Sequence, residues 1–336
     1  MNLKSMVTFL AVTYGLIGIM PLFVGDSVII MRILTMILIW SIVASCWDVI
    51  MGFAGIFSFG QVAFFVIGAY SSAILSVSLN VPPVVAMLMA GMITAMVGLL
   101  VGLPCIKLAG PYIALVTFAF HMALKPFFSG PLGKAIGSGG SRGILSVPPI
   151  KIFGMAFSSA ELVPFFYLAL FLTLICSGVI VAILKSYWGT AFLALKDSED
   201  FAVSLGISAF KYKLMVFGIT SFITGLFGAL YVHYVGILSI RVLSGQVFTT
   251  LMIMIVVGGI GQYPGVVLGA VFTVTAEQLL RPLGIYRFVI MGGLVVAVVL
   301  LLPDGITGLI RKLFPGRQEK ESRSIETHKS SLEGVG

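Results

Sequence analysis

From Val49 to Ile106 the chain runs for 58 residues without an Asp, Glu, Lys, Arg or His. A water-soluble domain keeps about a quarter of its residues charged to wet its surface, and it has nowhere to hide so long a run. Two further runs behave alike: Val242 to Ala276, 35 residues, and Leu162 to Leu184, 23 residues. A helix crosses a bilayer core with about 20 apolar residues, so the first run holds two spans and the last holds one. Lipid offers the backbone no hydrogen-bond partners, which restricts spanning segments to helices or closed barrels. Barrel strands alternate apolar and polar residues, and these runs do not alternate. Charged residues make up 10% of the chain and its mean hydropathy is +1.16. The fold class expected is therefore an all-α integral membrane protein, a polytopic helical bundle.

Ten spans are expected, at residues 6–25, 30–50, 55–79, 82–105, 110–129, 162–184, 214–236, 246–262, 264–280 and 286–302. Asn80-Val81-Pro82-Pro83, Lys107 to Gly110 and Gln262-Tyr263-Pro264-Gly265 separate them, because Pro and Gly end helices. The last three are short enough to merge or re-enter. Met6 to Gly25 follows Lys4 as a signal peptide would, but it is long and lacks a clear A-x-A site, so it reads as the first span. Cys46, Cys105 and Cys176 lie in apolar stretches and read as small buried residues rather than a disulfide framework.

The net charge of +8 reports topology here rather than nucleic acid, because Lys and Arg gather on the cytoplasmic side of membrane proteins. An inside N-terminus places twelve of the twenty basic residues in the cytoplasm, among them Lys4, Lys107, Lys185, Lys196, Lys211, Lys213 and Arg311. Both termini are then cytoplasmic. Residues 1–310 form one transmembrane domain with an extracytoplasmic loop at 130–161 and a cytoplasmic loop at 186–213. The charged, Ser-rich tail 311–336 is expected to be disordered.

The inner loop contains Asp197-Ser198-Glu199-Asp200-Phe201-Ala202-Val203-Ser204-Leu205-Gly206, which has the grammar of a short helix. Asp197 or Ser198 can cap its first amides, Glu199 and Asp200 suit the positive end of the helix dipole, and Gly206 supplies a left-handed stop. Phe201 and Leu205, four apart, share one apolar face. So short a helix is unstable alone. Its face needs this protein's own bundle, the lipid interface, or a groove on another subunit.

Asp200-Phe201-Ala202-x-x-x-Gly206 resembles a degenerate form of the Glu-Ala-Ala-x-x-x-Gly loop by which ABC importer permeases dock their ATPase subunits, with Asp for Glu and Phe for the first Ala. The surrounding motifs resemble the Liv-type permeases of branched-chain amino-acid ABC importers, in order, over roughly residues 35–310. They include Gly52-Phe53-Ala54-Gly55-x-x-Ser58-x-Gly60, Gly110-Pro111-Tyr112-x-Ala114, Ser138-Gly139-Gly140-Ser141-x-Gly143, Tyr187-Trp188-Gly189-Thr190-Ala191, Gly225-Leu226-x-Gly228-Ala229, Gly258-Gly259-x-Gly261 and Pro303-x-Gly305-Ile306. Arg142 stands where the family usually has Asp, and Ile56 and Gln61 where it often has Gln and His. The resemblance implies a second, paralogous permease, two ABC ATPase subunits and an extracytoplasmic solute-binding protein, in the cytoplasmic (inner) membrane of a prokaryote. It implies ATPase coupling through Ser198, Glu199, Asp200, Phe201, Ala202, Leu205 and Gly206. Urea, short amides and aromatic acids are alternative solutes within the family; a stand-alone channel or carrier is the rival outside it.

Gly52, Gly55, Gly60 and Gly68 allow either close helix packing or unwinding beside a cavity. In the second case Ser58 and Gln61 offer hydrogen bonds to a passing solute, and Gly60, Thr117 and His121 join them as pathway candidates. A second cluster, Gly258 to Gly269, echoes the first. Of the intramembrane ionisable residues Asp48, His121, Lys125, His233 and Glu277, none clearly supplies the mid-membrane carboxylates of proton-coupled carriers. No G-x-x-x-x-G-K-[ST] loop, metal cluster or nucleophile–base set occurs. The chain reads as no enzyme and as needing no cofactor, so its energy must come from another subunit.

Overall fold

The computed structural model describes residues 3–25, 27–108, 110–152, 155–157, 161–284, 286–301, 305, 306 and 308. The tail 311–336 and most of the Pro303 to Leu309 motif lie outside them.

The chain opens with α1 (Leu3–Val24) and α2 (Val28–Asp48). Instead of stopping, α2 loosens: Val49–Phe53 form a π-helical turn, and the Ile56 amide reaches back to the Ile50 carbonyl at 3.0 Å. Residues 54–60 are not helical, and α3 (Gln61–Ser78) follows. The span expected at 55–79 therefore begins only at Gln61. Gly55 turns the chain through the left-handed region, φ +68°, which a residue with Cβ rarely enters.

Pro83 opens α4 (Pro83–Ile106) and Pro111 opens α5 (Pro111–Ser129), at the first helical position, where a missing N–H costs nothing. The short α6 (Pro131–Ala135) precedes an antiparallel hairpin of β1 (Ile150–Ile152) and β2 (Met155–Phe157). The expected 162–184 span is α7 (Leu162–Lys185). The loop expected at 186–213 is shorter and mostly helical, made of α8 (Tyr187–Asp197) and α9 (Glu199–Ser204). Its successor α10 (Ala209–Val235) starts five residues before the expected 214, because the Ser208 hydroxyl accepts the Lys211 amide at 3.3 Å and caps it early.

The chain continues as α11 (Gly245–Gly258), α12 (Gly265–Leu279) and α13 (Tyr286–Leu301). Among the described residues seven helices are long and apolar enough to cross a membrane, and these three are shorter. The ten expected spans are these ten helices. At 14 residues, α11 is only about 21 Å long, and it packs against α12 across the Gly259–Pro264 turn. Gly269 lies on the Met254 carbonyl and Gly258 on the Val266 backbone. The three cysteines are free and buried.

Glycine sets the centre of the bundle. Gly68 of α3 lies on the backbone of Gly225 in α10, Gly228 on the Phe65 carbonyl, and Gly98 of α4 on Ser221. Helices gain nothing from the hydrophobic effect when they associate inside lipid, so close backbone approach and dispersion hold them together. As a result 78% of the α3 span is buried inside the protein, against 22% of α1.

The two ends of the bundle are distinct. At one end residues 130–161 meet the segment after α10: Ile144 and Leu238 exchange backbone hydrogen bonds at 2.9 Å, and the Val147 amide reaches the Gly236 carbonyl at 2.9 Å. His233 locks this corner. Its Nδ1 donates to the Pro148 carbonyl at 2.8 Å, since a carbonyl can only accept, and its Nε2 meets the Ser72 hydroxyl at 2.9 Å. At the other end α8 packs against the break after α2, Gly52 of that break lies on Gly261 in the turn before α12, and α9 follows α8.

Candidate functional site

The short α9 is built by local chemistry at both termini. The Ser198 hydroxyl accepts the Phe201 amide at 3.4 Å. Beyond the last turn, Gly206 at φ +86° sends its amide to the Val203 carbonyl at 2.9 Å, and Ile207 sends its own to Ala202 at 3.0 Å. That pair of bonds is a Schellman stop. Both carboxylate oxygens of Glu199 take Lys213 Nζ of α10 at 2.6 Å, and Ala202 is buried. The helix is thus fastened on one side. On the other, Phe201 is 65% and Leu205 67% exposed, with Val203 between them at 50%. Asp200 is exposed as well.

The pathway candidates lie where the chain leaves helix after α2. In a membrane, non-helical backbone persists only if its polar groups find partners, and here side chains supply them. Trp47 Nε1 donates to the Ser58 carbonyl at 2.6 Å. The Phe59 amide donates to Thr117 Oγ1 at 2.8 Å, and that hydroxyl donates onward to the Ile113 carbonyl at 2.8 Å. Ser58 Oγ turns back on the Gly60 amide at 3.4 Å. Thr117 is therefore the brace that holds α5 to the break.

One turn beyond Thr117 on α5, His121 is 1% exposed, yet neither ring nitrogen has a hydrogen-bond partner. The Phe248 ring stacks on it at 5.9 Å and Phe118 lies at 6.3 Å. Phe248 also packs Phe59 at 5.5 Å, Trp47 at 5.6 Å and Phe118 at 5.6 Å. These four rings were not among the expected site residues. They come from four segments, α2, the break, α5 and α11, and no spacing in the sequence joins them.

Ser58, Gly60, Thr117 and His121 thus gather around one aromatic cluster. Gln61 does not join them: its Nε2 donates to Thr224 Oγ1 on α10, and its Oε1 has no partner. Lys125 is exposed and Glu277 half-buried near the end of α12. A groove of about 530 Å³ between α1 and α7 is lined by none of the pathway candidates. Among the described residues no group of three metal-ligating side chains occurs.

A family model described as "Branched-chain amino acid transport system / permease component" matches residues 29–302. The chain belongs to this permease family. The match starts within α2, so α1 precedes it. The chain is 29% identical over 313 residues to the High-affinity branched-chain amino acid transport system permease protein LivM of Salmonella typhimurium (strain LT2), covering 86% of this chain and 73% of that protein. It is 28% identical over 300 residues to the protein of the same name from Escherichia coli (strain K12), covering 83% and 70%. No solved structure matches significantly. The expected Liv-type resemblance and the all-α, multi-pass bundle both hold, and the protein is a permease subunit of a transport system.

Proposed function

We propose that this permease imports branched-chain amino acids, or close relatives in size and charge, across the cytoplasmic membrane of a prokaryote. It does so as one half of a pathway completed by a paralogous permease and driven by two ABC ATPase subunits. An extracytoplasmic binding protein delivers the solute to the end formed by residues 130–161. The end bearing α8 and α9 faces the cytoplasm, with the inner loop now bounded at 186–208, and both termini lie on that side.

The observation that carries this reading is α9. Its ends are capped, its flank is fastened to α10 by Glu199 and Lys213, and Phe201 and Leu205 project from it uncovered. An apolar knob on a rigid mount at the water-facing end of a membrane bundle is what a groove on another subunit grips. The rival that dispenses with ATPases, a stand-alone channel or carrier, is tested by reconstitution. Vesicles holding this chain with its paralogue and ATPases are expected to accumulate leucine only with ATP inside the compartment that represents the cytoplasm. Accumulation by the chain alone, without nucleotide, would refute the importer reading.

Within the pathway, the imidazole of His121 serves the solute, as a buried polar group left without a partner in the resting protein. His121→Phe adds a further ring to an aromatic cluster and removes both unpartnered nitrogens, so a purely structural His121 would be replaced without loss. The expected result is unchanged assembly with uptake reduced roughly tenfold, the size of one hydrogen bond forgone. Full uptake by His121→Phe would remove this residue from the pathway.

A further inference from the structure

Lys196 stands in the last turn of α8, two residues before the cap of α9, and crosses to the break after α2. Its Nζ donates to the Gly52 carbonyl at 2.7 Å. That carbonyl lies in the π-helical turn, where the regular ladder of helix hydrogen bonds has been interrupted. The stem of Lys196 lies across Gly55, where an added Cβ would meet Lys196 Cγ at 2.8 Å. One turn back on α2, the wholly buried Asp48 accepts the Gly261 amide on Oδ1 at 2.6 Å, while its Oδ2 has no partner. Gly52 and Gly261 touch backbone to backbone. Three segments distant in sequence therefore meet within one turn of α2: the mount of the docking helix, the unwound entry to α3, and the turn between α11 and α12.

We infer that Lys196 and Asp48 form the transmission that converts movement of the α9 knob into movement of the pathway. This deepens the docking assignment proposed above and rests on it. A load on Phe201 reaches Lys196 through the Ser198 cap at the junction of α8 and α9. From there it has two outlets. The Gly52 carbonyl leads into residues 54–60, hence to Ser58 and the Thr117 brace. The Asp48 carboxyl leads through Gly261 to α11, whose Phe248 covers His121. The Asp48 carboxyl lies against Gly52, where an added Cβ would run into its Oδ1, so its open oxygen offers the ammonium on the Gly52 carbonyl a second acceptor close by. When α8 shifts, Lys196 exchanges the Gly52 carbonyl for Asp48 Oδ2 and loosens the π turn. Lys196 and Asp48 are positioning residues that touch no solute.

The test reads coupling rather than activity alone, in the assembled transporter in vesicles. Lys196→Met keeps the stem over Gly55 and removes the donor, and Lys196→Arg restores a cationic donor. For Lys196→Met the complex is expected to assemble and hydrolyse ATP while solute moved per ATP falls at least about tenfold, as for a lost charge-assisted hydrogen bond. Lys196→Arg is expected to regain most of that ratio, a rescue that a merely destabilised protein would not show. Asp48→Asn, which keeps an acceptor for Gly261 but loses the charge, is expected to lower the ratio less than Lys196→Met. An unchanged ratio in Lys196→Met, or loss of uptake and hydrolysis together with no rescue by arginine, would overturn the inference while leaving the docking helix in place. Wild-type preparations free of ATPase would overturn the docking reading, and this one with it.

Discussion

Replacing Phe201 with aspartate is expected to strip the ATPase subunits from the purified permease and to abolish ATP-driven uptake. The substitution leaves α9 itself intact. Phe201 is 65% exposed, and the Ser198 cap, the Gly206 stop and the Glu199–Lys213 pair do not involve its ring. What changes is the surface offered to a partner. A buried aromatic anchor contributes about 2–4 kcal/mol to an interface, and a carboxylate forced into the same pocket without a partner adds a desolvation penalty. Their sum corresponds to a loss in affinity of more than about 100-fold. Leu205→Ala, which shortens the neighbouring knob without charging it, is expected to weaken the complex less. The measurement is the ratio of ATPase to permease after affinity purification in a mild detergent, with circular dichroism to show that the helices persist. Wild-type recovery of the ATPase with Phe201→Asp would place the contact elsewhere on the molecule.

The short helix α9 was legible because its determinants are local. Ser198, Gly206 and the pair Phe201 and Leu205 lie within nine residues of sequence, so cap, stop and apolar face are read directly from order and spacing. The bundle class was legible for a different reason: long uncharged runs admit only one solvent. The start of α3 was not, because the helix break is stabilised from afar. Gly52 rests on Gly261 and takes Lys196, 144 residues away. A continuous apolar run reads as helix whether or not a distant partner unwinds it. The aromatic cluster around His121 was hidden likewise, since α2, the break, α5 and α11 each contribute one ring. The direction of the Gln61 side chain was not legible either. Its neighbour Gly60 lies with the cluster, but one step of helix rotation turns the Gln61 side chain to Thr224 instead. Sequence proximity to Ser58 did not decide which way it points.

Where the glycines stand decides the other large effect. Gly68→Val is expected to destabilise the bundle by about 3 kcal/mol or more, toward the upper range for overpacking. The side chain would have to enter the space held by the Gly225 backbone, and a backbone cannot rotate aside as a flexible side chain does. Separating α3 from α10 would also lift Gly228 from the Phe65 carbonyl and draw Gln61 from Thr224, so one methine carries the cost of several contacts. The control is Gly15→Ala in α1, where nothing lies within 4 Å of the added carbon. There the gain in helix propensity is expected to stabilise by about 0.5–1 kcal/mol. Thermal unfolding in detergent, followed by loss of the monodisperse species, distinguishes the two. Equal midpoints for Gly68→Val and the wild type would mean that α3 and α10 do not meet backbone to backbone. The centre of the bundle, and with it the position of Thr224 opposite Gln61, would then have to be redrawn.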